Sequence, residues 1–410
     1  MHMKFKEYIT EEKNLHMEHA EDNVLNGGVA GTRATINYMR AIRDMLAGHS
    51  EKKVSLTVKW DGAPAIFAGK DPSDGKFFVA KKGIFNKNPK LYKTNAEIDA
   101  DTSGDLADKL KACLQHLPKL GITNVIQGDL LFTSNDIKTA TIDGESYITF
   151  HPNTIVYAVP ANSVLAKKIK RAKIGVVWHT FYEGDTLESM KAVFGKDILS
   201  TLTQSEDVWS TDVDYKDVSG KATMTKEETD KVTDILSEAG RIFYRIDPKI
   251  LNGISDNEEL LMKIKTFNNT KVRAQEKISN PSRHVDDLIE YLKQHYEAET
   301  ASKKTEKGKQ SVKEKSSGVL GFFTTKAKKD LVNIFTVMNL LVDAKNILIG
   351  KLNEVKNLHT FLLTKDGYKV TGVEGYVAID RLSGNAVKLV DRLQFSYANF
   401  SPDIIKGWQK

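Results

Sequence analysis

The chain has 410 residues, of which 40% are hydrophobic and 28% are charged. This composition excludes wholesale disorder and leaves enough length for two or three domains. Its single cysteine, Cys113, excludes an internal disulfide and a cysteine-rich zinc site, and it predicts a reducing, cytoplasmic location. The formal net charge of +6 is compatible with a polyanionic partner without requiring one.

Two features argue against secretion and against a membrane span. The first twelve residues contain several lysines and glutamates, where a signal peptide would have an apolar core. The longest apolar run, 331–342, is interrupted by two asparagines and is shorter than the roughly 20 residues that a bilayer requires. We therefore expect no membrane partner.

The first 184 residues alternate between helix and strand patterns. Apolar residues recur at helical spacing over 31–47, which predicts an amphipathic helix. From Val54 to Trp60 apolar and polar residues alternate, which indicates a half-buried strand. The same criteria predict a helix over 106–117 and strands at 66–68, Phe77–Ala80, 125–132, 147–150, 154–159 and 174–182.

After Gly184 the pattern becomes mainly helical, and strand patterns return near the end of the chain. Long helices are predicted at Lys226–Phe243, 257–265 and 326–356, with a lysine-rich linker at 302–317, followed by strands at 361–363, 368–380 and 386–393. We predict an α+β fold in which a core of antiparallel sheets with flanking helices, 3–184 and 360–410, is interrupted by a helical insertion domain, 185–359.

The strongest chemical motif is Lys59-Trp60-Asp61-Gly62, at the end of the first predicted strand. Alternation places Lys59 on the polar face with Ser55 and Thr57, where its amine can project into a cleft. An amine is a nucleophile only when it is deprotonated, and a neighbouring cation or desolvation favours that form. A solvated surface lysine fits the same short motif.

Four later residues add polar and aromatic groups to predicted strands. Asp129 interrupts an apolar strand pattern, and Phe181 lies near the end of another. Glu374 opens one strand of the last predicted hairpin, and Lys388 lies in the other. Each also has an ordinary interpretation: a carboxylate satisfied by backbone amides, a core aromatic residue, or charges on the surface of a hairpin.

In this order, the five segments resemble the five motifs of the covalent nucleotidyltransferases, the family of ATP-dependent polynucleotide ligases and mRNA capping enzymes. The resemblance covers about 50–184 and 360–392. In that family the lysine of a Lys-x-Asp-Gly motif attacks the α-phosphate of the nucleotide and forms a lysyl–NMP intermediate. The resemblance therefore implies that Lys59 is the nucleophile, that Lys388 assists it as a cation, and that ATP and Mg²⁺ are the cofactors.

The resemblance also implies which residues contact the cofactors. Asp129 and Glu374 would bind Mg²⁺ or position the ribose, Phe181 would stack on adenine, and Lys82 or its neighbour Lys81 would meet the phosphates. The implied ATP contacts are Lys59, Asp61, Gly62, Lys82, Asp129, Phe181, Glu374 and Lys388. We expect ATP in preference to NAD, since the chain lacks the extra modules that NAD-dependent ligases share.

Three positions depart from the family pattern. The third motif usually has Gly-Glu, where this chain has Gly128-Asp129, and the last motif usually has two lysines, where this chain has only Lys388. Many DNA ligases have an arginine at the position of Pro64. These departures leave the substrate class open.

The function that the resemblance implies is a polynucleotide ligase, which would transfer AMP from Lys59 to a 5′-phosphate and seal it to a 3′-hydroxyl. RNA is favoured over DNA, because 393–410 are too few residues for the C-terminal OB domain of DNA ligases. Residues 3–11 are similar to openings among proteins of large tailed bacteriophages, which would place the protein in the host cytoplasm. Three alternatives remain: a DNA ligase, a nucleotidyltransferase with a protein or small-molecule acceptor, and a non-catalytic nucleic-acid-binding or virion protein on a degenerate core.

Other clusters suggest binding sites outside these motifs. A basic cluster consists of Lys167, Lys168, Lys170, Arg171 and Lys173, and we predict that it binds the nucleic-acid backbone. A second lysine-rich cluster, 303–315, fits a solvated surface. The glycine-rich segment 26–33 fits either a phosphate-binding helix start or a flexible turn. His16 and His19 stand among acidic residues and could ligate a metal, although this is the weaker interpretation.

Overall fold

The computed structural model describes residues 19–48, 54–86, 88–193, 196–213, 223–354, 358–380 and 386–409. Within these residues, helices combine with largely antiparallel sheets, which confirms the predicted α+β class. His16 and the predicted hairpin turn at 381–385 lie outside the described residues.

The described residues contain fourteen strands in three sheets. The strands are β1 (Val54–Lys59), β2 (Ala65–Lys70), β3 (Phe77–Ala80), β4 (Val125–Thr133), β5 (Lys138–Ile142), β6 (Glu145–Phe150), β7 (Ile155–Pro160), β8 (Ile174–Glu183), β9 (Lys191–Val193), β10 (Val208–Asp212), β11 (His359–Thr364), β12 (Gly367–Val370), β13 (Gly375–Asp380) and β14 (Ala386–Leu389). The first sheet has the order β1-β13-β14, the second β10-β8-β4-β2-β3 with β9 beside β8, and the third β12-β11-β7-β6-β5. The first and third sheets thus join strands from the two ends of the chain.

Twelve α-helices occur in the same residues. They are α1 (Asn23–Asn26), α2 (Gly28–Leu46), α3 (Asn95–Asp101), α4 (Gly104–His116), α5 (Val164–Arg171), α6 (Lys226–Phe243), α7 (Pro248–Ser255), α8 (Glu258–Arg273), α9 (Pro281–Ser302), α10 (Glu306–Gly321), α11 (Thr325–Leu352) and α12 (Arg392–Phe400). Polar side chains define several helix starts, because the first N–H groups of a helix lack intrahelical partners. Thr225, Asn257 and Thr324 accept such bonds at the starts of α6, α8 and α11.

The predicted strands at the end of the chain are shorter in the structure. The predicted strand 368–380 is divided into β12 and β13, and residues 371–374 between them are not in a strand. The predicted strand 386–393 ends at Leu389, after which Asp391 caps α12 by accepting bonds from two backbone N–H groups. Glu374 therefore lies in a break between two strands, so the alternation of side chains along a strand does not fix the direction of its side chain.

The helical segment begins later than the sequence predicts. β10 pairs in parallel with β8, and β9 pairs with the opposite end of β8, so the second sheet extends past the predicted boundary at 185 to Asp212. The helical module consists of α6 to α11. The prediction of a linker at 302–317 is wrong, because most of this segment forms α10, whose Val312 and Val319 are buried. The apolar stripe of α10 is narrow, and the many lysines around it make the helical pattern hard to recognise in the sequence.

The helical module packs against one face of the first sheet. Its apolar core contains residues of α2 and of the module together with Leu56, Tyr376 and Leu389 from β1, β13 and β14. The Tyr376 hydroxyl also donates to Asn353 Oδ1 at 2.7 Å, just after α11. One face of the first sheet is therefore covered by helices, and α2 belongs with the helical module although the sequence analysis placed it in the sheet core.

The long helix α11 lies within this core. Among the described residues, the segment Lys326–Leu352 is long and apolar enough, by length and composition alone, to cross a membrane. Half of its most apolar stretch is buried in the fold, with Leu331 and Phe335 in the helical core. Lys345 is fully buried and pairs with both carboxylate oxygens of Glu21 at 2.7 and 2.8 Å. Buried core helices of this kind also pass the length and composition test, and the absence of a membrane partner stays a prediction.

We expect acid to destabilise the helical core through His284. Burial, and to a lesser degree the nearby Lys271, lowers the pKa of His284 to about 4, while its Nε2 lies 2.8 Å from Asn268 Oδ1. The unfolded chain binds the proton near pH 6.5 and the folded chain near pH 4, so the free energy of unfolding falls as the pH falls through this window. Urea titrations should show a loss on the order of 3 kcal/mol at roughly 1.4 kcal/mol per pKa unit. A His284→Gln variant with the same pH dependence would contradict this assignment.

Candidate active site

Strand register places Lys59 and Lys388 on the same face of the first sheet. In the β1–β13 pair Lys59 is opposite Gly375 and Thr57 is opposite Val377, and in the β13–β14 pair Val377 is opposite Lys388. Alternate residues of a strand share a face, and paired residues lie side by side. Lys59 and Lys388 therefore lie on the face opposite the helical module, as the alternation around Lys59 predicts.

Glu374 is the ion-pair partner of Lys59. Its carboxylate contacts Lys59 Nζ, and the two side chains are 9% and 29% exposed, respectively. Burial raises the pKa of Glu374 to about 7, against the opposing attraction of Lys59 and, more weakly, Lys388. The site thus pairs an amine with a carboxyl group whose charge changes near neutral pH.

The loop that follows Lys59 lies directly on β4. The Ala63 N–H donates to the Leu130 carbonyl at 2.9 Å, and the Leu130 N–H donates to the Pro64 carbonyl at 3.0 Å. This places Gly62 against Asp129, since a Cβ atom at position 62 would come within 2.5 Å of the Asp129 Cβ. Glycine is needed because any side chain here would displace the loop or the carboxylate. The first and third predicted motifs therefore meet in space.

Asp61 anchors this loop to the third sheet. Its carboxylate is buried and accepts hydrogen bonds from the backbone N–H groups of Thr154 and Ile155 and from the side chains of Asn153 and Thr154, at 2.5 to 2.8 Å. Its own N–H donates to the Tyr157 hydroxyl at 2.7 Å. These bonds give Asp61 a positioning role, in place of the cofactor contact that the sequence analysis assigned to it.

Tyr157 and His179 belong to the site although the sequence analysis gave neither a role. Burial raises the pKa of Tyr157 well above its usual value, and the negative charges of Asp61, Glu374 and Asp129 add to this effect. His179 Nε2 lies 3.7 Å from Asp129 Oδ2. Neither contact can be predicted from the sequence, because each joins segments that are distant in the chain. The sequence contains one indication of His179, which lies two residues before the candidate Phe181.

Lys82 lies at one end of the second sheet, which also carries Asp129. Ala80 pairs with Phe67 in β2, and Ala65, two residues earlier in β2, pairs with Asp129. Lys82 follows Ala80 by two residues and is exposed. Lys81, the alternative phosphate contact, instead pairs with Asp101 at 2.9 Å. The structure therefore favours Lys82 over Lys81 for a contact with phosphates.

Phe181 is not brought to the site. It belongs to an apolar cluster with Leu130 and Trp178, whereas Asp129 and Leu131 face the loop at Gly62 on the other side of β4. Only 9% of Phe181 is exposed, and Lys196 lies over its ring at 4.6 Å. The predicted stacking of Phe181 on adenine is therefore wrong, because the register of β8 turns its ring to the opposite face of the sheet.

The basic cluster of Lys167, Lys168, Lys170, Arg171 and Lys173 is exposed on α5 and just before β8. The next residue, Ile174, pairs with Thr133, which is four residues from Asp129 and hence about 13 Å away along the strand. The cluster lies beside the site and not within it, which is compatible with its predicted contact with a nucleic-acid backbone.

The remaining candidates have internal partners. At the glycine-rich start of α2, the Val29 N–H donates to Asn252 Oδ1 at 3.0 Å. Asn252 of α7 therefore takes the place of the phosphate that one interpretation of this segment predicts. Near His19, Glu21 pairs with Lys345, and Asp22 pairs with Arg392 at 2.9 Å. Burial lowers the pKa of His19 to about 3. In the part of the chain that the structure describes, no group of three or more metal-binding side chains occurs.

Replacing Gly62 by alanine should disrupt the site, because the new methyl group would overlap the Asp129 Cβ. We expect a loss of about 1–3 kcal/mol in the free energy of unfolding and a loss of more than about tenfold in any reaction that needs Asp129 in place. Gly318→Ala is the matched control, since an added Cβ there has open space. Equal behaviour of the two variants in urea denaturation would contradict the close contact.

Comparison with known proteins identifies a family. The family described as "Family of unknown function (DUF6267)" matches residues 14–403. No curated protein and no solved structure matches the chain. Because the family match spans the three sheets and the helical module, the chain belongs to the DUF6267 family.

Proposed function

We propose that the protein is an ATP-dependent nucleotidyltransferase that forms a covalent AMP adduct on Lys59 and passes the AMP to the 5′-phosphate of a polynucleotide, with RNA favoured. The observation that carries the proposal is the pairing of β1 with β13, which places Lys59 against Glu374 and on the same face as Lys388. Four of the five segments that resemble the family motifs thus converge, because Gly62 adds Asp129 to the group.

The arrangement suits attack on a phosphoanhydride. The neutral Lys59 amine would attack the α-phosphorus, forming a P–N bond while the P–O bond to pyrophosphate breaks, and the amine would lose a proton. Glu374, whose pKa burial raises to about 7, can accept the proton that the Lys59 nitrogen loses as the P–N bond forms. Lys388 and Lys82 supply positive charge for the phosphates.

Asp129 and Glu374 are the residues that would hold Mg²⁺. Magnesium is commonly held by one or two carboxylates, with substrate phosphates and water completing its shell. Asp129 is partly exposed beside the Gly62 loop, and Glu374 contacts Lys59, three residues before Gly62. When bound, the ion would neutralise phosphate charge.

A second candidate is a non-catalytic nucleic-acid-binding or virion protein on a degenerate core. Two observations favour it: Phe181 faces away from the site, and Asp61 is committed to the 153–155 loop. A DNA acceptor in place of RNA is a variant of the first proposal that these side chains do not separate.

The deciding experiment is incubation with α-labelled ATP and Mg²⁺, followed by a denaturing gel. We expect acid-labile, base-stable label on the wild-type chain, as for a phosphoramidate, and none on Lys59→Arg. Lys70→Arg is the matched control, because Lys70 is exposed at the far end of β2. Absence of label on wild type, or unchanged label on Lys59→Arg, would overturn the proposal in favour of the binding protein. Addition of 5′-phosphorylated RNA or DNA to labelled protein would then identify the acceptor.

A further inference from the structure

An exposed surface near the end of the chain combines aromatic rings with cations. We call it the aromatic surface and define it by Lys369 of β12, Tyr397 and Phe400 of α12, and Arg273 at the end of α8. Phe400 is 62% exposed, although large apolar side chains are usually withdrawn from water. Exposed apolar side chains that lie together mark binding sites more often than isolated ones.

Each of two rings on this surface has a cation against one side. Lys369 Nζ lies 5.8 Å from the centre of the Tyr397 ring, and Arg273 Cζ lies 5.6 Å from the centre of the Phe400 ring. Tyr397 and Phe400 are three residues apart on α12, so they are neighbours on one side of that helix. The two rings and their two cations therefore form a strip in the order Arg273, Phe400, Tyr397 and Lys369.

The strip borders the loop that holds the candidate nucleophile. Lys369 pairs with Leu362 in β11, and Leu362 pairs with Ile155 of β7. The Ile155 N–H donates to Asp61 at 2.8 Å, two residues after Lys59. Adjacent strands are about 4.8 Å apart, so Lys369 lies about 10 Å from the Asp61 anchor.

Trp408 is a further exposed ring, near the same loop. The residue is 61% exposed, and its neighbour Gly407 donates its N–H to the Asn153 carbonyl at 2.7 Å. Asn153 in turn donates to Asp61. The C-terminal segment therefore places an exposed indole beside the residues that anchor the Lys59 loop.

We propose that the aromatic surface, together with Trp408, binds single-stranded polynucleotide by stacking its bases on the rings while Lys369 and Arg273 contact the backbone. Aromatic side chains interleaved with cations are typical of single-strand binding, because unpaired bases expose faces that can stack. Bases inside a duplex are already stacked on one another and do not offer those faces. Asp366 and Asp403 are also exposed nearby, so stacking contributes more to binding here than net charge does. This inference rests on the proposed function for the role of the strand, which would be the acceptor of AMP.

The test measures fluorescence anisotropy of a labelled 20-nucleotide RNA with full-length protein. We expect binding to weaken about tenfold in Phe400→Ala and in Trp408→Ala, which corresponds to the lower part of the range for one stacked base. Phe400→Tyr should retain binding, and a duplex of the same sequence should bind more weakly than the single strand. Both alanine changes remove largely exposed side chains, and thermal denaturation would verify that each variant is folded. Tyr244→Ala is the matched control, because Tyr244 is 85% exposed in the helical module.

Several results would overturn the inference. These are unchanged affinity in both alanine variants, equal loss in Tyr244→Ala, a preference for duplex, or no binding of any nucleic acid, which would point to a protein partner for the strip. The Lys59→Arg variant separates the two proposals: it should bind RNA normally without taking up AMP. Wild-type protein that binds RNA through the strip but never takes up AMP would leave this inference standing and remove the proposed function.

The alanine replacement of the 167–173 basic cluster should behave differently from the stacking variants. Loss of phosphate contacts reduces the dependence of affinity on salt, whereas loss of a stacked ring lowers affinity at every salt concentration. We therefore expect a flatter salt dependence in the cluster variant and an unchanged slope in Phe400→Ala. A flattened slope in Phe400→Ala would show that this ring does not act by stacking, and would overturn the inference.

Discussion

Replacing Glu374 by glutamine should reduce AMP transfer to Lys59 by about 100-fold or more, the usual effect of removing one preorganised electrostatic group. The change keeps the size of the side chain and one acceptor oxygen but removes the charge that contacts Lys59. Single-turnover labelling with ATP measures the effect directly.

The same change should leave the fold intact or stabilise it. Burial raises the pKa of Glu374 from 4.5 to about 7, so the unfolded chain loses this proton at lower pH than the folded chain. The free energy of unfolding therefore falls as the pH rises from 4.5 to 7, and an uncharged glutamine avoids that loss. Glu206→Gln is the control, since Glu206 is 87% exposed. Loss of activity accompanied by an equal loss of stability would indicate a purely structural role for Glu374.

Replacing Lys345 by methionine should lower the free energy of unfolding by about 3–5 kcal/mol, because it leaves Glu21 charged and without its cation in the core. Lys345 is 0% and Glu21 3% exposed. Although burial opposes ionisation, Lys345 holds the pKa of Glu21 below its usual value. Urea denaturation of the full chain measures the loss.

The double variant Glu21→Leu/Lys345→Met should recover most of that loss, because an apolar pair removes both buried charges. The exposed Arg241–Glu238 pair is the control, with side chains 65% and 40% exposed. Glu238→Gln should cost less than about 1 kcal/mol. A cost below 1 kcal/mol for Lys345→Met alone would show that Glu21 finds another partner or takes up a proton.

Some structural features are encoded locally, and the sequence predicts these well. The regular alternation from Val54 to Trp60 predicts β1 and the face of Lys59, and the helical pattern over 226–243 predicts α6 with the same first and last residues as in the structure. The helical interpretation fails where charge conceals a narrow apolar stripe, as in α10. β9 and β10 are short and become strands through their pairing with β8.

The candidate site is encoded only in part. Its residues follow from the resemblance to ordered motifs: Lys59 contacts Glu374, Asp129 lies against Gly62, and Lys388 shares a sheet face with Lys59. The roles of Asp61 and Phe181 could not be derived in the same way. A carboxylate next to a nucleophile has the same sequence pattern whether it faces a ligand or, as here, accepts four hydrogen bonds from another sheet.

The sequence by itself determined the α+β class, the main strands and helices, and the face on which Lys59 lies, because each depends on the period of neighbouring residues. The tertiary structure alone decided that β1 pairs with β13, that Phe181 turns away from Asp129, and that Glu374 is buried against Lys59. These depend on contacts between distant segments and on the water that those contacts exclude. Periodicity specifies which side of a strand is buried, but not which strand becomes its neighbour.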